Sequence, residues 1–365
     1  MENVTKNICF FNSCKAWGGG EKWHYDIAIL LQKKKYSITL ITNKHSELYN
    51  RAVNSNIQTI SIKISNLSFL NPIKLLKISR LFKKHSSNTV ILNLPSDLKA
   101  AGIAAKIAGV ENIIYRRGSA IPIKNSFLNR FLFKKIITEV IVNSNETKKT
   151  LNANNPNMID EKKIKLVYNG IDLKKYDKTI SKIYKKENNE IILGSAGRLS
   201  KQKAQKYLID IAGKLKLKNI NFKLLIAGDG ELKSELVAYA KKLNVENEVV
   251  FLGFVENIKT FMNSLDIFLL TSLWEGFGYV IVEAMACKKP TVAFNVSSNP
   301  EIIADKKTGF LIDNFDIDEF TEKIELLICD EKLREKFGNE ARELVEKKFQ
   351  IDNTFMQIEK ILNKK

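Results

Sequence analysis

Short apolar runs alternate with stretches in which apolar residues recur every three or four positions, and the alternation occurs twice along the chain. In the first half, Ile8–Phe11, Ser37–Thr42, Thr89–Leu94, Asn112–Tyr115 and Val140–Asn143 read as strands. Glu21–Gln32 places Ile27, Leu30 and Leu31 on one helical face, and Ile73–Lys84 predicts a second helix. The series restarts with a strand at Glu190–Ala196, a helix over Ala204–Leu215, a strand at Phe222–Ala227 and a helix over Glu231–Leu243. Val249–Leu252, Asp266–Thr271 and Pro290–Phe294 are further strands, with a helix from about Tyr279 to Cys287 between the last two. Strands separated by helices imply parallel sheets built from β-α units. Asp172–Glu190, rich in Lys, Tyr and Asn without a clear period, reads as a connection. The pattern therefore predicts an α/β protein of two doubly wound, Rossmann-like domains. Ligands of such sheets bind beyond the carboxyl ends of the strands, and with two domains the expected site is the cleft between them.

Composition narrows the class. With 44% hydrophobic and 27% charged residues, the 365-residue chain is globular and long enough for two cores. No apolar run approaches the ~18 residues of a membrane span. The start, Met1 to Asn7 and then Ile8-Cys9-Phe10-Phe11, lacks a basic segment followed by a signal-length apolar region, so a cytoplasmic chain is expected. Cys9, Cys14, Cys287 and Cys329 form no C-x2-C pair, which argues against a disulfide framework or a zinc site. Charge is uneven: residues 1–170 carry 27 Lys+Arg against 10 Asp+Glu, whereas residues 171–365 carry 32 against 30. Coding bias toward lysine acts on both halves alike, so the asymmetry points to a polyanionic surface met by the first domain.

Three segments carry chemistry. The first predicted strand exits into Ala16-Trp17-Gly18-Gly19-Gly20-Glu21, where the glycines let the backbone approach a ligand and a helix N-terminus offers N–H groups to an anion. It is not a dinucleotide fingerprint, and Gly228-Asp229-Gly230 is followed by Lys233 where that fingerprint requires Gly or Ala. In the second half, Gly197-Arg198-Leu199-Ser200-Lys201-Gln202-Lys203 brings two cations to a strand–helix junction, a phosphate-binding combination. Glu275-Gly276-Phe277-Gly278, followed by Tyr279 to Glu283, spaces two glutamates E-x7-E across a glycine turn that opens a helix. A carboxylate inside the apolar run at Glu283 needs a partner, which a ribose diol could supply.

Together these segments resemble the retaining family 4 glycosyltransferases of the GT-B fold. The likeness extends in order through Val167-Tyr168-Asn169-Gly170-Ile171-Asp172, Gly228-Asp229-Gly230, Phe251-Leu252-Gly253-Phe254, Pro300-Glu301-Ile302-Ile303 and Gly309-Phe310-Leu311. It implies two Rossmann-like domains facing across a cleft: an acceptor domain over 1–170, a nucleotide-sugar domain over 171–345, and a C-terminal helix over 346–365 returning to the first. By the same resemblance, Arg198 and Lys203 bind the diphosphate of a UDP- or GDP-linked sugar and stabilise the leaving group. Glu283 holds the ribose, Gly253 and Phe254 line the base, and Glu275 with the N–H groups of Gly276, Phe277 and Gly278 holds the sugar and distal phosphate. Gly19 and Gly20 approach the diphosphate, while Glu21, His24, Arg116 and Arg117 meet the acceptor. No metal is expected, because these cations neutralise the phosphates, and Asp316-Ile317-Asp318 reads as a helix cap. Retention by front-face attack, with the departing phosphate oxygen taking the acceptor proton, needs no glycosidase-like carboxylate pair.

The sequence departs from the family where a histidine commonly precedes a glycine: Arg116-Arg117-Gly118 stands there, and Asn93-Leu94-Pro95 replaces the usual His-x-His. Ser297-Ser298-Asn299 replaces a Gly-Gly before Pro300. Two basic, partly apolar stretches suggest an anionic membrane surface as a partner, on the inner face of the cytoplasmic membrane. Ile73–Lys84 sets Ile73, Leu76 and Leu81 against Lys74, Lys77, Lys83 and Lys84; Phe127–Ile137 mixes Phe127, Phe131 and Phe133 with Arg130, Lys134 and Lys135. The expected activity is transfer of a sugar to a glycolipid or glycan acceptor of the lipopolysaccharide type. The rivals are a nucleotide-sugar 2-epimerase on the same fold and a basic nucleic-acid-binding protein; no recognised nucleic-acid module supports the second.

Overall fold

The computed structural model describes residues 6–177, 182–187 and 189–363. The chain folds as two compact units, Met1–Tyr168 with Phe355–Lys365, and Asn169–Thr354. The helix Ile351–Leu362 straddles the division, whereas the helix Glu331–Lys348 lies wholly in the second unit.

The first unit is built on a seven-stranded parallel sheet of order β3-β2-β1-β4-β5-β6-β7. Its strands are β1 Asn7–Asn12, β2 Ser37–Thr42, β3 Gln58–Ser61, β4 Thr89–Leu92, β5 Asn112–Arg117, β6 Glu139–Val142 and β7 Ile164–Leu166. Alternation along β1 sends Cys9 and Phe11 to a core shared with Ile78, Phe82, Leu132 and Phe133. Phe10, on the opposite face, meets Trp23 of the helix Gly19–Lys33. Side-chain caps start several helices: Ser46 accepts from the Tyr49 N–H, and Asn71 from that of Lys74, with Pro72 at the first helical position.

The second unit carries a six-stranded parallel sheet of order β10-β9-β8-β11-β12-β13. These are β8 Ile191–Ala196, β9 Phe222–Ala227, β10 Val249–Gly253, β11 Ile267–Leu270, β12 Thr291–Phe294 and β13 Gly309–Ile312. Leu193, Leu224, Ile226, Leu269 and Phe294 pack against the helices Lys206–Leu217 and Ile317–Cys329. Asp316 caps the latter helix, accepting from the Glu319 N–H.

In each sheet the chain order reverses once, between β1 and β4 in the first and between β8 and β11 in the second. At such a point the loops after neighbouring strands diverge to opposite faces and leave a crevice. In each unit the candidate site residues gather at or beside this reversal.

Candidate functional site

In the second unit, the loops after β8 and β11 are tied together at the reversal. The Leu273 N–H donates to Gln202 O at 2.8 Å, and Gln202 Nε2 donates to Trp274 O at 2.9 Å. These bonds bring Lys203 to Glu275, with Nζ 2.5 Å from Oε1 and both side chains largely buried. Gly197 leaves room for the lysine stem, since a Cβ there would stand 3.0 Å from Lys203 Cε. Sequence reading gave Lys203 to phosphate and Glu275 to sugar; the structure shows the two groups neutralising each other. The Ser298 hydroxyl fixes the Glu275 backbone by donating to its carbonyl at 3.2 Å. Ser272 Oγ and Gln205 Oε1, which sequence reading passed over, are buried without a protein partner in the same two loops.

Arg198 is exposed, and its carbonyl accepts from Gln205 Nε2 at 2.9 Å. Its loop rests on the glycine turn after β9, where the Leu199 N–H donates to Asp229 O at 3.0 Å and the Gly228 N–H to Gly253 O at 2.7 Å. Gly228 has φ +137, and a Cβ on it would lie 2.0 Å from Gly197 O. This turn thus shapes the cation-bearing loop from behind. Gly253 ends β10 with φ +69, and Phe254 beyond it is 61% exposed.

The helix Tyr279–Ala286 starts at Gly278, whose φ of +80 a side chain would oppose. Glu283 is buried four residues inside this helix, beside Val282 and Ala284. Phe277, which the resemblance assigns through its N–H group, has its ring buried edge-on against Tyr279 and Phe349.

In the first unit the glycine run is not a free loop. Gly19 and Gly20 form the first turn of the helix, and a Cβ on Gly20 would approach Asn93 Nδ2 to 2.8 Å. Glu21 Oε1 accepts from Asn12 Nδ2 and from Asn93 Nδ2, each at 3.1 Å, which links the ends of β1 and β4. Arg116 and Arg117 end β5, both more than nine-tenths buried. His24, which the resemblance assigns to the acceptor, lies deeper. It is wholly enclosed between Phe10 and Trp23 with neither ring nitrogen hydrogen-bonded, so it packs the core behind the site instead of lining it. Burial, then the charge of Arg116, holds its imidazole well below the usual histidine range.

Sequence reading also missed Asp97. It is fully buried; Oδ1 accepts from the Ser13 hydroxyl at 2.5 Å, and Oδ2 accepts from the N–H groups of Ser13 at 3.2 Å and Leu94 at 3.1 Å. Burial pushes its carboxyl up to about 7, against the pull of these bonds. The folded chain therefore binds this proton more tightly than the unfolded one, and stability from this group falls as pH rises from about 4 through about 7. His24 acts in the opposite sense, adding stability as pH rises toward 6.5. The difference between wild type and Asp97→Asn isolates the carboxyl, because the amide mimics its protonated form. Urea titrations at pH 5 and pH 8 should show the variant gaining a few kcal/mol on wild type at the higher pH. A difference independent of pH would show that Asp97 is ionised throughout.

Comparison with known proteins follows the same division. Residues 17–175 match the family described as Glycosyltransferase Family 4, and residues 176–344 match Glycosyl transferases group 1. Over 349 residues and 91% of both chains, the protein is 29% identical to the capsular polysaccharide biosynthesis glycosyltransferase CapM of Staphylococcus aureus. It is 27% identical over 350 residues to the UDP-Gal:alpha-D-GlcNAc-diphosphoundecaprenol alpha-1,3-galactosyltransferase of Escherichia coli, covering 88% of this chain and 87% of that one. Among solved structures, Anabaena Alr3699/HepE in complex with UDP and glucose superimposes with a TM-score of 0.84 at 23% identity, covering 98% of this chain and 99% of the other.

Proposed function

Because the chain belongs to the family 4, group 1 glycosyltransferases of the GT-B fold, we propose that it transfers a sugar from a UDP- or GDP-linked donor to a lipid-linked or polysaccharide acceptor, with retention at the anomeric carbon. The observation that carries the donor reading is the reversal point of the second sheet, where Lys203 pairs with Glu275 just ahead of the Tyr279–Ala286 helix and Arg198 shares the loop of Lys203. In this reading the diphosphate takes Lys203 away from Glu275. The freed carboxylate then accepts from sugar hydroxyls, while the ammonium and Arg198 bear the charge of the leaving phosphate. The N–H groups of Gly276 to Gly278 reach the distal phosphate. Glu283 accepts from the ribose hydroxyls, and Phe254 offers an exposed ring beside the base. In the first unit, Glu21, Arg116 and Arg117 serve the acceptor. No metal is required in this scheme, since two side-chain cations and a helix terminus already oppose the diphosphate. The relatives' names support the acceptor class, being those of capsular polysaccharide and undecaprenol-linked glycosyltransferases.

Attachment to the cytoplasmic face of an anionic membrane belongs to the same proposal. Among the described residues no helix is long and apolar enough to cross a membrane. Leu67, Leu70, Ile73 and Leu76 are exposed on and beside the helix Pro72–Lys84, and Phe127 and Phe131 on the helix Phe127–Phe131; Ile73 is 77% and Phe127 79% exposed. Both segments are anchored in one core by Ile78, Phe82, Leu132 and Phe133, so they belong to one layer of the unit. Leu81 and Phe133, assigned to this surface from sequence, turn inward instead. Lys74, Lys77, Arg130, Lys134 and Lys135 supply the charge, each worth about 1 kcal/mol near an anionic surface.

The test is a turnover panel of nucleotide sugars with polyprenyl-diphosphate-linked acceptors, the product anomer read by NMR, with and without vesicles of graded anionic lipid. Turnover with an anomer matching the donor, and salt-sensitive sedimentation with the vesicles, are expected. An inverted product would overturn retention; a chain that stays in the supernatant at low salt would overturn the membrane assignment.

A further inference from the structure

We propose that Arg116 and Arg117 recognise an anionic group, a carboxylate or a phosphate, on the acceptor. The inference rests on the transferase reading and narrows its acceptor class. Both residues end β5 at the carboxyl edge of the first sheet, where ligands of parallel sheets bind. Consecutive strand residues point to opposite faces, so the two side chains are anchored separately.

Arg116 is held as a prepared fork. Its guanidinium lies over the Trp23 ring, 5.3 Å from the centroid, and Nη1 donates to Asn93 Oδ1 at 3.4 Å. Gly118 gives it space, since a Cβ there would stand 2.5 Å from Nη1. Gly20 gives the same freedom to Asn93, which Glu21 fixes in turn. Two glycines and a buried glutamate thus serve the placement of one cation.

Arg117 carries the argument for charge. It is 7% exposed; Nη2 donates to Ile121 O, and the group lies beside the Tyr115 phenol. Its Nε is buried without a partner, and among the described residues no carboxylate lies within ion-pairing distance. A guanidinium cannot shed its proton, so this buried charge persists at every working pH. One carbonyl and one phenol compensate it poorly, whereas a planar carboxylate or a phosphate matches its donors two at a time. Nearby acids are committed elsewhere: Glu21 Oε1 to Asn12 and Asn93, Asp97 to Ser13 and the Leu94 N–H. Burial also leaves Asp97 only partly ionised near neutrality. The donor diphosphate has its own cations in the second unit, so the anion read here belongs to the acceptor. The competing account makes Arg117 a clasp for the segment after β5 and nothing more.

The two are separated by titrating the full chain, followed by NMR and by melting temperature, with methyl glucuronide, glycerol 1-phosphate and methyl glucoside at fixed ionic strength. At least one anionic probe should bind about tenfold or more tightly than the neutral glycoside. A response to glucuronide places the charge on a sugar, and one to glycerol phosphate places it on a phosphate linkage. Arg117→Gln should erase the preference and Arg117→Lys should keep part of it. Equal binding of charged and neutral probes to the wild-type chain overturns the proposal, whether or not the variants fold. So does an Arg117→Gln chain that melts earlier yet keeps the preference, which is the behaviour of a clasp. UDP and GDP, titrated in parallel, report on donor binding. Their binding with no anion preference sinks this inference and spares the transferase; their failure to bind removes the transferase reading and the acceptor with it.

Discussion

Arg198→Ala and Lys203→Ala should each lower kcat by about 100- to 1,000-fold, the usual loss when one group opposing a developing transition-state charge is removed. Their folding consequences should differ. Arg198 is exposed and makes no ion pair among the described residues, so its variant should melt within about 2 °C of wild type. Lys203 is paired with a buried carboxylate, and its removal strands Glu275 at a cost of ~3–5 kcal/mol. Lys203→Ala should therefore be slow and also fragile, and adding Glu275→Gln should restore stability without restoring turnover. Steady-state kinetics and calorimetry on the three variants check this. An unchanged kcat with only a raised KM would mean that both cations bind donor and transition state equally, outside the leaving-group chemistry.

Gly228→Ala should cost about 3–5 kcal/mol, combining overpacking with backbone strain. The added methyl would lie 2.0 Å from the Gly197 carbonyl, a backbone atom that cannot swing aside, and φ is +137. Gly253→Ala is the matched control: φ is +69, but nothing lies within 4 Å of its Cβ, so only the left-handed conformation is penalised, by ~1–2 kcal/mol. Urea unfolding of both variants measures the gap. Equal losses would show that the turn after β9 can retreat from the Arg198 loop, and that the loop is not shaped from behind.

How far the molecule could be read in advance depended on whether a residue's reason lay near it in the chain. Strands buried on both faces, such as β1 and β11, declare themselves as unbroken apolar runs. β3 and β7 are short edge strands of mixed polarity, Gln58–Ser61 and Ile164–Leu166, and β13 is a four-residue strand begun by a glycine; the apolar pattern gives them too little weight. Glycine turns were legible because a backbone requirement is written into the residue itself. Asp97 was not, because its partner Ser13 is 84 positions away. The pairing of Lys203 with Glu275 spans 72 positions, and sequence alone gave both residues to a ligand without giving them to each other.

The helix Ile351–Leu362 has a consequence for how the chain is made. The first unit takes residues from both sides of the second, with Ile358 and Leu362 buried and Lys6 donating to Leu362 O. During synthesis the first 168 residues leave the ribosome well before the helix that completes their unit, whereas everything the second unit needs is present once Thr354 has been added. The order of emergence and the order of completion are therefore opposite. The nascent first unit therefore leaves the apolar surface met by Ile358 and Leu362 uncovered through the synthesis of an entire neighbour, and surface of this kind is what makes incomplete domains prone to aggregate.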